Sequence, residues 1–333
     1  MDLFLSDTKP PLNVQDEDLT PDMTSPPPER FGITPVVLTL IRCDIAEFFR
    51  KITPQSSYDL YWDKITSSYL TVEEKDKLIN QIEDLLERKY VRYCDLSDPL
   101  HFFASILARS ALCKMRLFAH NPRQFADRGI KLPQKDRDVI WTNGMKLLEY
   151  GNIMHSNPTM KKFTWQVGTN YLWDTLLYIL IETRHRKTGP DVDRAWQLID
   201  CVFKNYPQIF QEATDALYVA LGNWTIQVWD DCTAARKADG LPDPPEPDFI
   251  ASIRRCRRPQ TQTSSQENGQ FNHGREIGNY TAAHNQSQIL GIDENHINEF
   301  DSLQSYNFSN LLSFDLEPSE WEQWERLLAG QGV

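Results

Sequence analysis

The sequence predicts an all-α fold, and three observations carry that expectation. Apolar residues recur at three- and four-residue spacing in segment after segment between Val36 and Trp229. Helix-start chemistry, Thr71 with Glu74 and Ser97-Asp98 before Pro99, stands ahead of two of these segments. No run alternates apolar and polar residues in the way a set of packed strands requires.

The elements follow in order. Residues 1–30 hold Pro10-Pro11, Pro21 and Pro26-Pro27-Pro28, a density that excludes regular helix, and Asp16, Glu17, Asp18 and Asp22 make this extended segment acidic. From Val36 to about Ile52, Val37, Leu40, Ile41, Ile45 and Phe48 share one helical face. Thr71 opens a second helix, with Leu78, Ile82, Leu85 and Leu86 as its apolar stripe. Lys89 to Pro122 reads as a helix end, a capped turn and a further helix. Ser97 or Asp98 caps that helix, and Pro99 suits its first turn, where a missing N–H costs nothing. Leu100, Phe103, Leu107, Ala111, Met115 and Phe118 line one side, while Phe102, Ile106 and Cys113 cover much of the other. A helix apolar nearly all round belongs inside a sizeable α-domain. Its interruptions, Arg109 and Arg116, read as half-buried cations held by carboxylates or helix-end carbonyls.

Residues 123–133 form a loop, and a helix from about Asp136 to His155 carries Val139, Ile140, Met145, Leu147, Leu148 and Ile153. Met160 to Arg184 is the most aromatic region, with Phe163, Trp165, Tyr171, Trp173 and Tyr178. Two amphipathic helices follow, Val192 to Phe203 and Ala213 to Trp229, separated by Pro207. The helical domain is therefore expected over 31–240. Prolines 242, 244, 245 and 247, the cluster Arg254, Arg255, Arg257 and Arg258, and a Gln/Asn/Ser-rich stretch then predict a disordered polar linker over 241–290. Residues 291–333 change again: nine carboxylates are opposed only by Arg326 and interleaved with apolar and aromatic side chains. Phe308, Leu312, Phe314, Trp321, Trp324, Leu327 and Leu328 are the candidate activation residues, kept solvated by the acids and free to dock in a partner's groove. The other reading of the last short helix is packing against the chain's own core.

Composition narrows the function. A net charge of −12 argues against electrostatic nucleic-acid binding by the chain as a whole, since phosphate contacts need a local excess of Lys and Arg. The basic cluster at 254–258 is the exception, as a nuclear-import or phosphate-binding patch or else a solvated charge run. Met1 to Ser6 show no secretory n-region, and the most apolar run, Leu176 to Ile181, is too short to span a bilayer. A soluble intracellular chain is expected. The six cysteines, Cys43, Cys94, Cys113, Cys201, Cys232 and Cys256, never come within five residues of one another, so no zinc-binding spacing exists.

Catalytic signatures are missing too: there is no H-E-x-x-H, P-loop, G-x-G-x-x-G or G-x-S-x-G. None of the seven histidines has another three or four residues away. Asp230-Asp231 lacks the third acid of a terpene-cyclase magnesium motif, that position being Ala234. No catalytic residue, cofactor or metal ligand is expected. Trp165, Tyr171, Trp173 and Tyr178 are core residues or the lining of a small-molecule pocket, and Arg109, Lys114 and Arg116 are scaffold cations or an anion site.

Several runs resemble the regulatory middle-homology domain of fungal-specific transcription factors. They are Tyr90, Tyr93-Cys94-Asp95, Pro99-Leu100-His101, Ala108-Arg109, Lys114-Met115-Arg116 and His120 through Pro122, then Tyr171 with Trp173-Asp174, Glu182-Thr183-Arg184, Ala195 through Ile199, Tyr206-Pro207 and Ala216 through Ala220. Upstream, Pro11-Leu12-Asn13, Asp16, Asp18-Leu19, Pro21, Met23, Thr34 and Arg42 are similar to the segment linking the two halves of that domain; Pro35 and Asp44 depart from it. The resemblance covers roughly residues 10 to 232. It implies a nuclear transcriptional regulator, with control of a specialised-metabolite gene set as a further implication. The family's zinc-cluster DNA reader is absent from this sequence, so the chain borrows one from a partner, is a fragment of a longer product, or has lost direct DNA binding. The expected partners are the transcription machinery or a DNA-binding homologue, with DNA contact indirect if any, and a small molecule is a possible effector. The competing expectation is a small-molecule-binding or catalytic all-α protein of a biosynthetic pathway.

Overall fold

The computed structural model describes residues 9–52, 65, 70–120, 132–166, 170–206 and 216–257. Of these, residues up to Arg254 form one unit, and 255–257 begin a second. Among the described residues there are eight α-helices and no strand: α1 Val37–Ile52, α2 Val72–Lys89, α3 Pro99–Ala119, α4 Gln134–Ser156, α5 Asn170–Arg186, α6 Pro190–Asn205, α7 Ala216–Ala238 and α8 Asp248–Arg257.

The N-terminal stretch is irregular apart from one 3₁₀ turn at Asp16–Asp18, as its prolines require. It is nonetheless pinned. The buried Asn13 side chain donates to the carbonyls of Arg30 (2.7 Å) and Gly32 (3.0 Å) and accepts from Thr34 Oγ1 (2.6 Å). Arg30 donates twice to the Asp18 carboxylate, at 2.5 Å each.

The first core joins α1, α2 and α3. Val37, Leu40, Ile41, Ile45 and Phe49 are buried, and Phe48 packs edge-on against Phe49. At the start of α2, Thr71 Oγ1 accepts from the Glu74 N–H while the Glu74 carboxylate accepts from the Thr71 N–H, the reciprocal cap that the sequence signals. The buried face of α2 is Lys75, Ile79, Ile82 and Leu86; Leu78 and Leu85 are only partly buried. Asp98 caps α3 by accepting from the N–H groups of Leu100 and His101, ahead of Pro99. Helix α3 is buried on most of its circumference; Arg109 is exposed, whereas Arg116 donates to Glu83 (2.5 Å) and Asn80 (3.1 Å) of α2.

Helix α4 is the hub, packing on α3, α5 and α6. Beyond it, Leu176, Ile179, Leu180, Ile199, Phe203, Trp224 and Val228 fill a second core between α5, α6 and α7. Helix α8 corrects the expected linker. Residues 248–257 are helical, with Phe249, Ile250 and Ile253 buried and the Phe249 ring stacked on Phe203 at 4.9 Å. A polar average over 241–290 concealed three apolar residues at helical spacing. Helix α7 likewise runs past Trp229 to Ala238.

Lys75 is buried in the first core, and burial pulls its ammonium from 10.5 down to about 8. The unfolded chain holds that proton up to its ordinary value, so stability rises as pH climbs from 8 towards 10.5 and the cost is fully present below 8. Stability is therefore expected to rise between pH 8 and pH 10, and Lys75→Met is expected to remove that rise. Urea midpoints of both proteins at the two pH values measure this, and an unchanged rise in the variant would refute it.

Candidate functional site

Charged side chains meet at three places, each built by helix ends brought together. His120 follows the last residue of α3 and is fully buried. Its Nδ1 lies 2.6 Å from Asp136 Oδ1, in the first turn of α4, and its Nε2 lies 3.0 Å from Asp76 Oδ1 on α2. Carboxylate oxygens accept, so the geometry is satisfied when both ring nitrogens donate.

The second place joins α4 to α5. Glu182, buried on α5, pairs with Arg137 (3.1 Å) and lies 3.8 Å from Arg186. Burial pushes the Glu182 carboxyl above its ordinary range, against the pull of the two guanidiniums. Arg186 also donates to Asp138 (2.8 Å), which lowers the Asp138 carboxyl, and sits 4.6 Å over the Trp141 ring.

The third place lies along α7. Arg184 donates to Asp231 (2.8 Å) and stacks over Trp224, and Arg236 donates to Asp193 (2.9 Å). Arg254 bonds Asp230 and donates to Glu246 (3.2 Å), so the Asp230-Asp231 pair is occupied by two arginines.

In all three places the charges neutralise one another between neighbouring helices, and none sets a base against a nucleophile. Burial pushes the Cys113 and Cys232 thiols up to about 11, and it also raises Cys43 and Cys94, so these cysteines remain thiols near neutral pH. Among the described residues no three His, Cys, Asp or Glu side chains gather to hold a metal ion. None of the helices described is long and apolar enough to cross a membrane.

The structure separates the expected basic cluster. Arg254 is tied into the helical unit, Arg255 is exposed on α8, Arg257 ends that helix, and Arg258 lies outside the described residues. Phe308, Leu312, Phe314, Trp321, Trp324, Leu327 and Leu328 also lie outside them, as do the side chains of Trp165, Tyr171 and Trp173. Tyr178 is buried. Arg109, Lys114 and Arg116 form no joint anion site: Arg116 is engaged by Glu83 and Lys114 stacks 5.5 Å over Phe118. Sequence reasoning missed the buried Asp136 and Glu182, and the partly buried Asp76, as partners. The apolar run 176–181 leading directly into Glu182 was the one signal available.

The residues that carry the family resemblance do have a shared physical role. Asn13 with Thr34, Arg116 with Glu83, His120 with Asp136, and Glu182 and Arg184 with their partners are the pins between elements. Comparison with known proteins agrees. The chain is 28% identical over 261 residues to the aurofusarin cluster transcription factor of Gibberella zeae, a match covering 78% of this chain and 38% of that protein. It is 24% identical over 255 residues to the transcriptional regulator AacuB of Aspergillus aculeatus, covering 74% of this chain and 34% of the relative. Its relatives are fungal transcription factors. A third, the pyriculol/pyriculariol biosynthesis cluster transcription factor 1 of Pyricularia oryzae, is 22% identical over 231 residues, covering 67% of this chain and 30% of the relative. The chain thus spans about a third of the length of these relatives. No family model and no solved structure matches it.

Proposed function

We propose that this chain is the α-helical regulatory part of a transcription regulator controlling a fungal biosynthetic gene set, acting through protein partners and not by catalysis. The observation that supports this reading is the match over 78% of the chain to a cluster transcription factor. The arrangement of charges fits it, because the buried carboxylates Asp136 and Glu182 each face a basic side chain from another segment, and Asp231 is paired with Arg184. On this reading the protein works in the nucleus, with Arg255, Arg257 and Arg258 as the import patch and Arg254 as a structural residue. Residues 1–333 hold no closely spaced cysteines, so they supply no zinc-cluster DNA reader, and DNA contact comes from outside these residues. Residues 291–333, with Trp321, Trp324, Leu327 and Leu328, engage the transcription machinery.

Fusing the chain to an unrelated DNA-binding module tests this directly. Reporter activation is expected from the fusion, falling to the level of the module alone when 291–333 are removed. Undiminished activation after that deletion would overturn the role given to the acidic segment. A fusion that never activates would overturn the regulatory reading.

A further inference from the structure

The helical unit hides its apolar surface well except at one place. Seven large hydrophobic residues are exposed among the described residues, and six of them are Leu12, Leu19, Met23, Phe31, Tyr93 and Leu96. The first four lie on the N-terminal strap, and the last two on the turn between α2 and α3. Strap and turn touch: Gly32 has φ +89° and approaches so closely that a Cβ there would sit 3.3 Å from Tyr93 Cβ.

This apolar surface is held in place. The Arg30 N–H donates to the Asn13 carbonyl (2.8 Å), and the Asn13 side chain returns bonds to the Arg30 and Gly32 carbonyls, which brings the segments carrying Leu12 and Phe31 side by side. The Asp18–Arg30 pair brings the segment carrying Leu19 to the same place. Phe31 is 95% exposed at the centre of this hydrogen-bonded knot. A large side chain presented to water by a cross-linked loop loses little freedom when it docks.

Charge identifies the occupant. Residues 9–32 and 91–98 carry seven carboxylates against three basic side chains, and Asp16, Glu17 and Asp22 are exposed beside the apolar residues. The chain's own 291–333 segment, with nine carboxylates and one arginine, would be repelled, and so would a second copy meeting face to face. We infer that the strap and the Tyr93–Leu96 turn form a docking surface for a helix of another protein that is basic beside an apolar stripe. Phe31, Leu19 and Tyr93 take the stripe, and Asp16, Glu17 and Asp22 take the basic flank. This inference does not depend on the regulatory reading.

The test is fluorescence anisotropy of the full chain with a labelled 18-residue amphipathic peptide of leucine and lysine, and with its leucine and glutamate counterpart. The lysine peptide is expected to bind, more weakly at higher salt, and the glutamate peptide is not. Phe31→Ser with Leu19→Ser should weaken binding by about tenfold or more without lowering the melting temperature, because neither side chain belongs to the core. Asp16→Lys with Glu17→Lys should weaken it through charge alone. Equal binding by the Phe31/Leu19 variant would overturn the inference, since the peptide would then be sitting elsewhere on an acidic chain. Displacement by a peptide of residues 314–333 would instead assign the face to the chain's own tail. A dimer that Phe31→Ser dissociates would assign it to a second copy.

Discussion

Replacing His120 by leucine is expected to destabilise the fold by about 3–5 kcal/mol, the cost of removing one partner from a buried charged network. The imidazole is fully buried between Asp136 at 2.6 Å and Asp76 at 3.0 Å. Leucine fills much of the same volume, so the loss is not that of a cavity. What remains is the Asp136 carboxylate, buried at the start of α4 and deprived of its donor. Asp76 is more exposed, and water can replace the ring there. Asp136→Asn should consequently recover much of the stability in the leucine background, since the amide removes the stranded charge. Urea unfolding of the single and double variants measures both effects. A loss below about 1 kcal/mol for the single variant would show that the network is not what ties α2, α3 and α4 together.

How much of this was legible beforehand follows from what each feature depends on. The caps at Thr71 and Asp98 were readable because a cap is local: side chain and backbone partner lie within three residues. Helix existence was readable from spacing, and so were Ile82 and Leu86 of the α2 stripe, though Leu78 and Leu85 prove only partly buried and Ile79 was not singled out. Apolar spacing alone cannot separate a core face from its flank when both carry leucine. The burial of Asp136 and Glu182 and the pairing of Asp76 could not be read, because each depends on a partner across a loop or on another helix. The pairing of Arg254 was hidden in the same way: four arginines in a polar stretch look accessible, and only Asp230 on α7 and the apolar face of α8 show that the first is held. The acids of the strap were visible in the sequence, but their gathering with Leu19 and Phe31 on one pinned surface required Asn13 to be seen bonding across to Gly32.

Gly144→Leu is the second large effect, at about 2–3 kcal/mol of destabilisation, and it arises from overpacking. Glycine in the middle of a helix costs about 1 kcal/mol relative to alanine, so its presence in α4 calls for a packing reason. The reason is Ile179 on α5: a Cβ at position 144 would meet its Cδ1 at 2.8 Å and its Cγ1 at 3.1 Å. Alanine is expected to be close to neutral, since the helix gains propensity while the end of the Ile179 chain must move. Leucine cannot be met by that small shift, because Ile179 is itself fully buried and Thr175 Cγ2 stands 3.8 Å away on the same helix. A double-mutant cycle with Ile179→Ala separates steric conflict from a general intolerance of leucine at this site. Ile179→Ala alone costs about 2–5 kcal/mol through the cavity that it leaves, and Gly144→Leu should fill that cavity. The double variant should therefore be more stable than the sum of the two losses by about 1–2 kcal/mol. Strict additivity would place the fault elsewhere on α4. Strong coupling would identify the Gly144–Ile179 contact as what sets the α4–α5 separation, and with it the distance at which Arg137 reaches the buried Glu182.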